Sequence, residues 1–553
     1  MNVQTIEIPF DAELLPARRL TTEKLSCLYE HGRLRYLKYG ETEVIRMIYF
    51  AVRDKDWKTA VYSIEQETIQ TNQNGFSISY TSFHSLIDIS YRTDVLIKAD
   101  NNTISFYAKG EALNSFKRNR IGICVLHPVV ECQGKKVIVT KPDGTDYTAS
   151  FPLLISPHQP FRDIKKMQFE ISEDIKAELI FEGDTFETED QRNWSDSSFK
   201  TYSTPLDIPF PVTVNKDEML EQKLDIRITG EESEKAATPI PKEERKIPFP
   251  KIGYGSKTGE KLSEDEISLL LQIPFDHYRV ELSLINADWQ EKLRKRFEDA
   301  GKLNTKLELI LFFNNDFKNQ LSYLITAIKE NAIFIDRILV LHSQHITTPE
   351  NVLEFVYTAM KKNFPQIKVG YGTDGFFADL NRNRPIGNNF DFVSFSLSPQ
   401  VHADDTRSLI ENLESQADII QTARSFVFGK EIHISPVTLK MRVSGDESNE
   451  SPSDYDSRQH RSIGALWTLH SIKNLGEADH LTFYQVKGYR GLLNDEKQLT
   501  KLTPLFNVRK MIKKFNPKWI IVTEQHQEFL SDKIVLENEQ GDRLEFVLTD
   551  AIL

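Results

Sequence analysis

Asp374 and His402, in the second half of the chain, have side chains that can act in proton transfer, and each lies just beyond a short apolar segment. Asp374 follows the segment that ends at Gly372, and His402 follows the segment that ends at Leu397. Histidine accepts a proton from water near neutral pH, and a carboxylate can do the same or bind a hydroxyl group. We therefore expect acid–base chemistry, with His402 as the first candidate for the general base and Asp374 as the next.

Amides and arginines stand close to these two candidates in the sequence. Arginine side chains match carboxylates, and amide side chains match hydroxyl groups. This mixture indicates a polyhydroxylated ligand, and the arginines are compatible with an anionic one. The alternative interpretation is helix capping, which suits Asp404 and Asp405 in particular. The residues that we assign to substrate binding here are Asn381, Arg382, Arg384, Gln400 and Arg490.

A second group of polar and aromatic residues lies much earlier in the chain, between Phe181 and Tyr202. An aromatic ring face beside hydrogen-bonding groups is typical of sugar sites. A buried polar network is the other interpretation, and the two are compatible. From this group we take Glu189 and Asp190 as catalytic candidates, and Arg192, Asn193 and Trp194 as substrate-binding candidates.

The region from Lys251 to Phe515 alternates short apolar strands with amphipathic helices. Eight such units over about 265 residues predict a (β/α)8 TIM barrel, whose active site lies at the carboxyl ends of its strands. Asp374, His402 and Arg490 would then follow strands five, six and eight. The predicted strands are 251–255, 278–284, 307–313, 337–341, 368–372, 392–397, 431–435 and 481–486. The predicted helices are 263–272, 289–300, 317–330, 349–363, 406–428, 458–474 and 505–515.

Two β-rich regions flank this barrel. Residues 1–230 contain many short strands of alternating polarity, with turn residues such as Asp100-Asn101-Asn102 between them, and predict an N-terminal β-sandwich. Residues 231–250 are charged and rich in proline, which predicts a linker. Residues 516–553 contain three short strands and predict a small C-terminal β segment.

The composition narrows the choice of partners and cofactors. The 553 residues include 69 basic and 81 acidic side chains, a net charge of −12, which argues against nucleic acid or an anionic membrane as a partner. Three cysteines without a C-x-x-C pair predict neither a disulfide framework nor structural zinc. We expect no cofactor, although a divalent metal held by His and Asp at the strand ends stays open. The absence of a leader pattern predicts a cytoplasmic protein. The oligomeric state cannot be predicted.

Several blocks of the sequence resemble the D-apionate lactonase family of bacterial sugar catabolism. The most specific block comprises residues 184–187, 189–194 and 198–202. Shorter matches lie at 120–122, 125–128, 155–157, 159–161, 379–385, 399–403 and 488–491. The resemblance implies a β domain, a barrel and a small C-terminal domain. It also implies a carboxylic-ester hydrolase that opens D-apionolactone, a small sugar lactone, to D-apionate. The chain departs from the family at the end of strand eight, where an acidic residue is expected and Gln485 and Lys487 stand.

If the reaction is lactone hydrolysis, the candidate residues have the following roles. The base would be His402 or Asp374, and Arg382 or Arg384 would face the oxyanion or the nascent carboxylate. No G-x-S-x-G motif is present, so a serine nucleophile of the α/β-hydrolase type is not expected. Two alternatives stay open, a barrel glycoside hydrolase and a non-catalytic sugar-binding protein. The first is disfavoured because strands four and seven end at His342 and Ser435 rather than at glutamates.

Overall fold

The computed structural model describes residues 2–172, 174–230, 244–257, 261–442, 455–494, 501–523 and 533–548. These residues form two compact units. One unit contains residues 14–191 and 197–230, and the other contains residues 2–13, 192–196 and the described residues from 244 onward. The short segment 192–196 therefore belongs to the same unit as the barrel, although the chain on both sides of it belongs to the first unit.

The described chain up to residue 230 is almost entirely β-structure. In chain order its elements are β1 (Val3–Ile8), β2 (Arg18–Thr21), β3 (Leu25–Glu30), β4 (Arg33–Tyr39), β5 (Thr42–Asp54), β6 (Val61–Thr71), β7 (Gly75–Leu86), β8 (Ile89–Asp100), β9 (Thr103–Ala112), β10 (Phe116–Pro128), the one-turn helix α1 (Val129–Cys132), β11 (Lys136–Thr140), β12 (Asp146–Ser150), β13 (Phe161–Ile164), β14 (Lys166–Glu170), β15 (Lys176–Glu182), β16 (Phe186–Asp190), a 3₁₀ helix (Gln191–Trp194), β17 (Ser198–Tyr202), β18 (Val212–Val214) and β19 (Met219–Thr229).

Strands β2 to β19 form a sandwich of two nine-stranded sheets. One sheet has the order β13-β16-β17-β10-β5-β4-β3-β2, with β18 beside β10, and the other has the order β12-β11-β14-β15-β19-β9-β8-β7-β6. Alternate residues of both sheets, such as Val95 and Ile97 on β8, are buried in one hydrophobic core. The predicted β-sandwich is confirmed, and Asn101 forms the tight turn between β8 and β9 with a φ of 49°.

The elements from residue 244 onward follow the predicted alternation. They are β20 (Glu244–Pro248), β21 (Lys251–Gly255), α2 (Glu264–Leu270), β22 (His277–Ser283), α3 (Trp289–Leu303), β23 (Lys306–Phe313), α4 (Phe317–Ile328), a 3₁₀ helix (Ala332–Phe334), β24 (Ile335–His342), α5 (Glu350–Asn363), β25 (Lys368–Phe376), α6 (Phe377–Arg382), β26 (Phe392–Leu397), α7 (Thr406–Glu411), α8 (Gln416–Arg424), β27 (Glu431–Val437), a 3₁₀ helix (Ser457–His460), α9 (Ser462–Asn474), β28 (His480–Lys487), β29 (Gly491–Asn494), β30 (Lys501–Leu502), α10 (Pro504–Phe515), β31 (Trp519–Thr523), β32 (Lys533–Glu537) and β33 (Arg543–Leu548).

Strands β21 to β28 form a closed parallel barrel. Each strand pairs with the next, and β21 pairs with β28, with Ile252 opposite Leu481 and Gly253 opposite Thr482. Most of the predicted helices begin close to their expected starts, and Ser263 with Glu266 forms a capping box at α2. The predicted TIM barrel is confirmed. Its strands bring the residues that follow them to one end of the barrel.

The structure differs from the expected domain boundaries at both ends of the chain. β1 pairs in parallel with β33 in a five-stranded sheet of order β1-β33-β32-β31-β20, so the first residues belong to the barrel unit. β20 lies inside the expected linker 231–250, because Ile247 is buried and pairs with Ile520 of β31. Residues 231–243 of that linker lie outside the described residues.

The helices differ from the predicted ones at two places near the carboxyl ends of the strands. Residues 377–382, for which no helix was predicted, form α6 directly after β25, and Asp379 accepts the N–H of Phe376 at its start. The predicted helix 406–428 is interrupted after α7, because Asn412 and Ser415 direct their side chains to other backbone carbonyl groups. Both differences lie at the candidate site.

Candidate active site

The imidazole of His402 and the carboxylate of Asp196 are in direct contact in the candidate site. His402 Nδ1 lies 2.5 Å from Asp196 Oδ2, and both side chains are largely buried. Because a carboxylate accepts hydrogen bonds, Nδ1 carries the proton and the Nε2 lone pair is left to accept another. An imidazole held in this way by a carboxylate is the arrangement that general bases use.

Trp194 packs beside this pair. Its ring meets the His402 ring edge to face at 6.1 Å between centroids, and meets the Phe376 ring at 6.0 Å. The guanidinium of Arg382 lies over the Trp194 ring, 5.3 Å from its centroid. The structure therefore brings together His402, Trp194 and Arg382, three of the residues predicted from the sequence. Half-buried Trp194 offers a ring surface of the kind that sugar sites use.

The interruption between α7 and α8 holds the segment 192–196 in place. Ser415 Oγ donates to the carbonyl of Ser195 at 3.1 Å, and Asn412 Nδ2 lies 3.4 Å from Asp196 Oδ1. Arg192 Nη1 forms an ion pair with Asp418 Oδ2 at 2.7 Å, and the Arg192 side chain is fully buried. Asp196 is thus positioned by groups on the barrel helices, and Arg192 has a structural partner.

Asn381, on α6, joins two of the predicted residues. Its Nδ2 donates to Asn193 Oδ1 at 2.9 Å, and its Oδ1 accepts from Arg384 Nη2 at 2.7 Å. The Arg384 guanidinium also lies 4.5 Å from the centroid of the Phe426 ring, and burial lowers its pKa. Asn193, Asn381 and Arg384 therefore form a hydrogen-bonded chain within the barrel unit. These side chains make hydrogen bonds to other protein groups, and this arrangement is suited to holding the neighbouring Arg382 in position.

A network of two carboxylates and two arginines is formed by residues of β22 and β25 together with Arg442. Asp374 Oδ1 accepts from Arg279 Nη2 at 3.1 Å and also from Arg442. Glu281 Oε1 accepts from Arg442 Nη1 at 2.6 Å and also from Arg279. All four side chains are largely buried. The structure therefore places Asp374, a predicted catalytic residue, between two guanidinium groups.

The same arginines set the protonation state of Glu281. Burial raises the pKa of its carboxyl, but the charges of Arg279 and Arg442 outweigh burial and lower the pKa to about 2. Glu281 is therefore ionised near neutral pH and cannot donate a proton. A carboxylate in this state binds hydroxyl groups well and serves poorly as a general acid.

Gln400 and Arg490, also predicted as substrate-binding residues, have structural contacts. Gln400 Nε2 donates to Asp456 Oδ2 at 2.5 Å. Burial raises the pKa of Asp456, but the hydrogen bonds and charge of Arg458 outweigh it and lower the pKa. The carbonyl of Arg490 accepts from Gln459 Nε2 at 2.7 Å, and its side chain is buried. These contacts order the loops after β26 and β28.

Glu189 and Asp190 lie on β16 in the sandwich unit. Asp190 is buried, and its Oδ2 accepts the backbone N–H of Ser156 at 2.9 Å. Glu189 is half-buried and pairs across the sheet with Lys200 of β17. Their predicted catalytic role stays a prediction.

The sequence reasoning missed four residues of the site: Asp196, Arg279, Glu281 and Arg442. Asp196 stands two residues after Trp194, between two segments of the most specific block of the resemblance, and this position was the available signal. Arg279 and Glu281 lie within β22 and were interpreted as part of a strand rather than as residues beyond its end. No neighbouring residue in the sequence identifies Arg442 as part of the site, because its partners Glu281 and Asp374 lie 161 and 68 residues away.

Gln485 and Lys487, at the end of β28, stand where the resemblance implies an acidic residue, and each makes a contact with another part of the barrel unit. Lys487 Nζ pairs with Glu266 Oε1 at 3.1 Å, so an acidic residue is supplied from α2 rather than from the strand. Gln485 donates its backbone N–H to the carbonyl of Arg490 at 3.1 Å. Its buried Oε1 has no hydrogen-bond partner among the described residues.

Among the described residues, one group of side chains could hold a metal by proximity: Glu431, His433 and His480, whose ligand atoms lie within 4.8 Å of one another. They stand at the amino ends of β27 and β28, at the opposite ends of the strands from His402. Arg337 Nη1 donates to His433 Nδ1 at 3.3 Å, so His433 Nε2 carries the proton and faces Glu431 Oε2 at 3.1 Å. A protonated Nε2 offers no lone pair to a metal, and this group does not suit one.

Family models match both halves of the chain. The model described as D-apionate lactonase, N-terminal domain, matches residues 8–231, and the model described as D-apionate lactonase, TIM barrel domain, matches residues 253–516. A curated relative, the D-apionate lactonase of Brucella anthropi, is 29% identical over 551 residues, which cover 92% of this chain and 89% of the relative. The similarity thus extends over the sandwich, the barrel and all of the candidate site.

Solved structures also match, at low identity. An α-L-arabinofuranosidase from Thermotoga maritima is 14% identical, covers 54% of this chain and 82% of its own, and has a TM-score of 0.38. One from Bifidobacterium longum is 12% identical, with coverage of 55% and 84% and a TM-score of 0.38. These scores are too low to support an argument about this chain. In the described part of the chain, no helix has the length and hydropathy needed to cross a membrane.

Proposed function

The chain belongs to the D-apionate lactonase family, and from this premise we propose that it is a carboxylic-ester hydrolase that opens a small sugar lactone. The substrate that we propose is D-apionolactone, and the product is D-apionate. The observation that carries the proposal is the 2.5 Å link between His402 Nδ1 and Asp196 Oδ2 beside Trp194. It supplies a base next to a surface that suits a sugar. We propose a cytoplasmic location, as the sequence predicts.

His402 acts as the general base in this proposal. Its Nε2 takes a proton from water as the water oxygen attacks the lactone carbonyl. Asp196 keeps the imidazole in the required tautomer and stabilises the imidazolium that forms. The ring C–O bond then breaks, and the imidazolium returns the proton to the leaving alkoxide. The carboxylic acid that results ionises at neutral pH and releases one proton for each lactone opened.

Arg382 stabilises the developing oxyanion. Its guanidinium lies over the Trp194 ring, and that ring lies against His402, so N–H donors stand beside the proposed base. Arg384 is less suitable for this role, because its guanidinium donates to Asn381 Oδ1 and packs over the Phe426 ring. The contact chain from Asn193 through Asn381 supports the end of α6, where Arg382 lies.

We propose that Asp374 and Glu281 bind sugar hydroxyl groups rather than serve as bases. Each accepts hydrogen bonds from both Arg279 and Arg442, so the carboxylate oxygen that a base would use already accepts N–H groups. The low pKa of Glu281, about 2, also makes this carboxyl unsuitable as the general acid of a glycosidase. The reaction that we propose needs no cofactor.

Release of acid from D-apionolactone tests this proposal directly. Purified protein is mixed with the lactone in weak buffer and a pH indicator, with and without a chelator, and beside a panel of pentono- and hexonolactones. We expect acid release well above the spontaneous rate, fastest with D-apionolactone and unchanged by the chelator. Faster opening of another lactone would change the substrate, and loss of activity with chelator would add a metal. No release above background with any lactone would contradict the proposal.

A further inference from the structure

Arg509, on α10, is a fully buried arginine. Its side chain has 0% relative exposure, and none of its three nitrogens has a hydrogen-bond partner among the residues that the structure describes. A guanidinium remains charged at any pH that the protein tolerates and carries five N–H donors. Burial of an isolated charge costs several kcal/mol unless a counter-charge accompanies it.

The surroundings of Arg509 supply donors and an aromatic ring. The guanidinium lies 5.4 Å from the centroid of the Phe483 ring on β28, which attracts the cation but does not accept its N–H groups. The hydroxyl of Tyr254, on β21, is also buried and has no hydrogen-bond partner among the described residues. Its neighbours Gly253 and Gly255 pair with Thr482 and Gln485 of β28, so Tyr254 lies alongside the part of β28 that includes Phe483, the residue whose ring Arg509 contacts. Burial raises the pKa of Tyr254, and the charge of Arg509 opposes this rise.

Nearby acidic groups do not complete this site. Asp276 senses the charge of Arg509, but burial and the N–H of Ile252 affect its pKa more, and its Oδ2 accepts that N–H at 2.8 Å. The Tyr484 hydroxyl also senses Arg509 and is paired with Thr468 at 2.9 Å. The guanidinium and the Tyr254 hydroxyl are therefore two buried donor groups that both lack an acceptor among the described residues. Water can accept their hydrogen bonds, but only an anion also neutralises the charge.

We propose that Arg509 and Tyr254 hold a small inorganic anion of about the size of chloride beneath α10, at the seam where β21 and β28 close the barrel. The two strands pair directly at this seam, with Ile252 opposite Leu481, so the anion joins the first strand, the last strand and the last helix of the barrel. An anion bound there belongs only to the folded state. It therefore stabilises the barrel in proportion to its concentration.

Thermal unfolding in two sodium salts of equal ionic strength tests the proposal. Chloride is a small monatomic anion, whereas gluconate is a six-carbon anion that we expect a site among fully buried side chains to exclude. We expect the Tm of the wild-type protein to rise with chloride as chloride replaces gluconate, and the Tm of Arg509→Met to stay constant. Tyr254→Phe, which keeps the charge and loses one donor, should need more chloride for the same rise. As a control, Arg294→Met on the exposed face of α3 should keep the wild-type response.

Bromide provides a test that does not depend on any variant. A crystal of the wild-type protein grown in sodium bromide should show an anomalous peak within hydrogen-bonding distance of the Arg509 guanidinium. Ordered water without an anomalous peak would overturn the proposal. An equal Tm in chloride and gluconate for the wild-type protein would overturn it as well.

Discussion

His402 Nδ1 and Asp196 Oδ2 lie 2.5 Å apart, although 206 residues separate them in the chain. The barrel places His402 after β26, and the contacts of Ser415 and Asn412 place Asp196 opposite it. The pair therefore depends on the interruption between α7 and α8. Its chemistry is that of a base held by a carboxylate, which is the core of the proposed mechanism.

Replacement of Asp196 by asparagine tests its positioning role. We expect kcat for lactone hydrolysis to fall by about 10² to 10⁴, because the amide cannot stabilise the imidazolium and favours the wrong tautomer. KM should change little. Asp196→Glu should recover part of kcat, and Asp404→Asn, an exposed position on the His402 loop, should match the wild-type protein. A rise in KM with unchanged kcat would show that Asp196 binds substrate instead.

Arg382 and Arg384 form a matched pair for testing oxyanion stabilisation. Arg382→Met should lower kcat by about 10² to 10³, because a charged donor to the oxyanion is lost. Arg384→Met should lower Tm more than it lowers kcat, because Asn381 and the Phe426 ring lose their partner. Steady-state kinetics and thermal unfolding of both variants separate the two roles. The reverse pattern would transfer the oxyanion role to Arg384.

Arg192 should matter for stability and little for substrate affinity. Its buried ion pair with Asp418 predicts that Arg192→Met lowers the free energy of unfolding by about 3 kcal/mol, because the remaining carboxylate loses its counter-charge. Asp418 is partly exposed, so solvent screening reduces this value. Adding Asp418→Asn to that variant should cost little more in urea unfolding. A normal stability with a raised KM would support the sugar-binding role that the sequence predicts.

Buried His127 predicts a pH dependence of stability in the sandwich unit. Burial lowers its pKa to about 3 from the ordinary value of 6.5. Below pH 6.5 the unfolded chain binds a proton that the folded state does not, so stability falls as the pH falls from 6.5 towards 3. The slope for one such group approaches about 1.4 kcal/mol per pH unit.

His127→Phe should remove this contribution and remain folded, because the Phe151 and Phe169 rings already surround the site. The variant loses the 2.8 Å hydrogen bond to Thr201, which costs about 1 kcal/mol at pH 7. Urea unfolding between pH 7 and pH 5 should therefore show a weaker pH dependence in the variant. His158→Phe, at an exposed position, serves as the control. An unchanged slope in His127→Phe would refute the assignment.

The barrel could be predicted from the sequence because its signals are local. Apolar runs such as 392–397 and caps such as Ser263 at α2 depend on neighbouring residues, and the structure confirms both. The cap expected at Asp405 is also present, since its side chain accepts the N–H of Ser408.

The site could be predicted only in part, because its geometry comes from long-range contacts. His402, Trp194 and Arg382 were identified by residue type, but nothing local shows that Asp196 holds His402. The interruption after α7 likewise depends on carbonyl groups at Ser195 and Pro399, which no helical period reveals. Asp374 was chosen by its position after a strand, and its two arginine partners come from β22 and from Arg442.

Lactone opening by His402→Gln tests the central claim most directly. The measurement is kcat/KM for acid release from D-apionolactone, compared with the wild-type protein and with His342→Gln, another buried histidine at the end of a barrel strand. We predict that His402→Gln loses at least about 10² in kcat/KM, while His342→Gln keeps most of it. Activity of His402→Gln equal to that of the wild-type protein would contradict the proposed base.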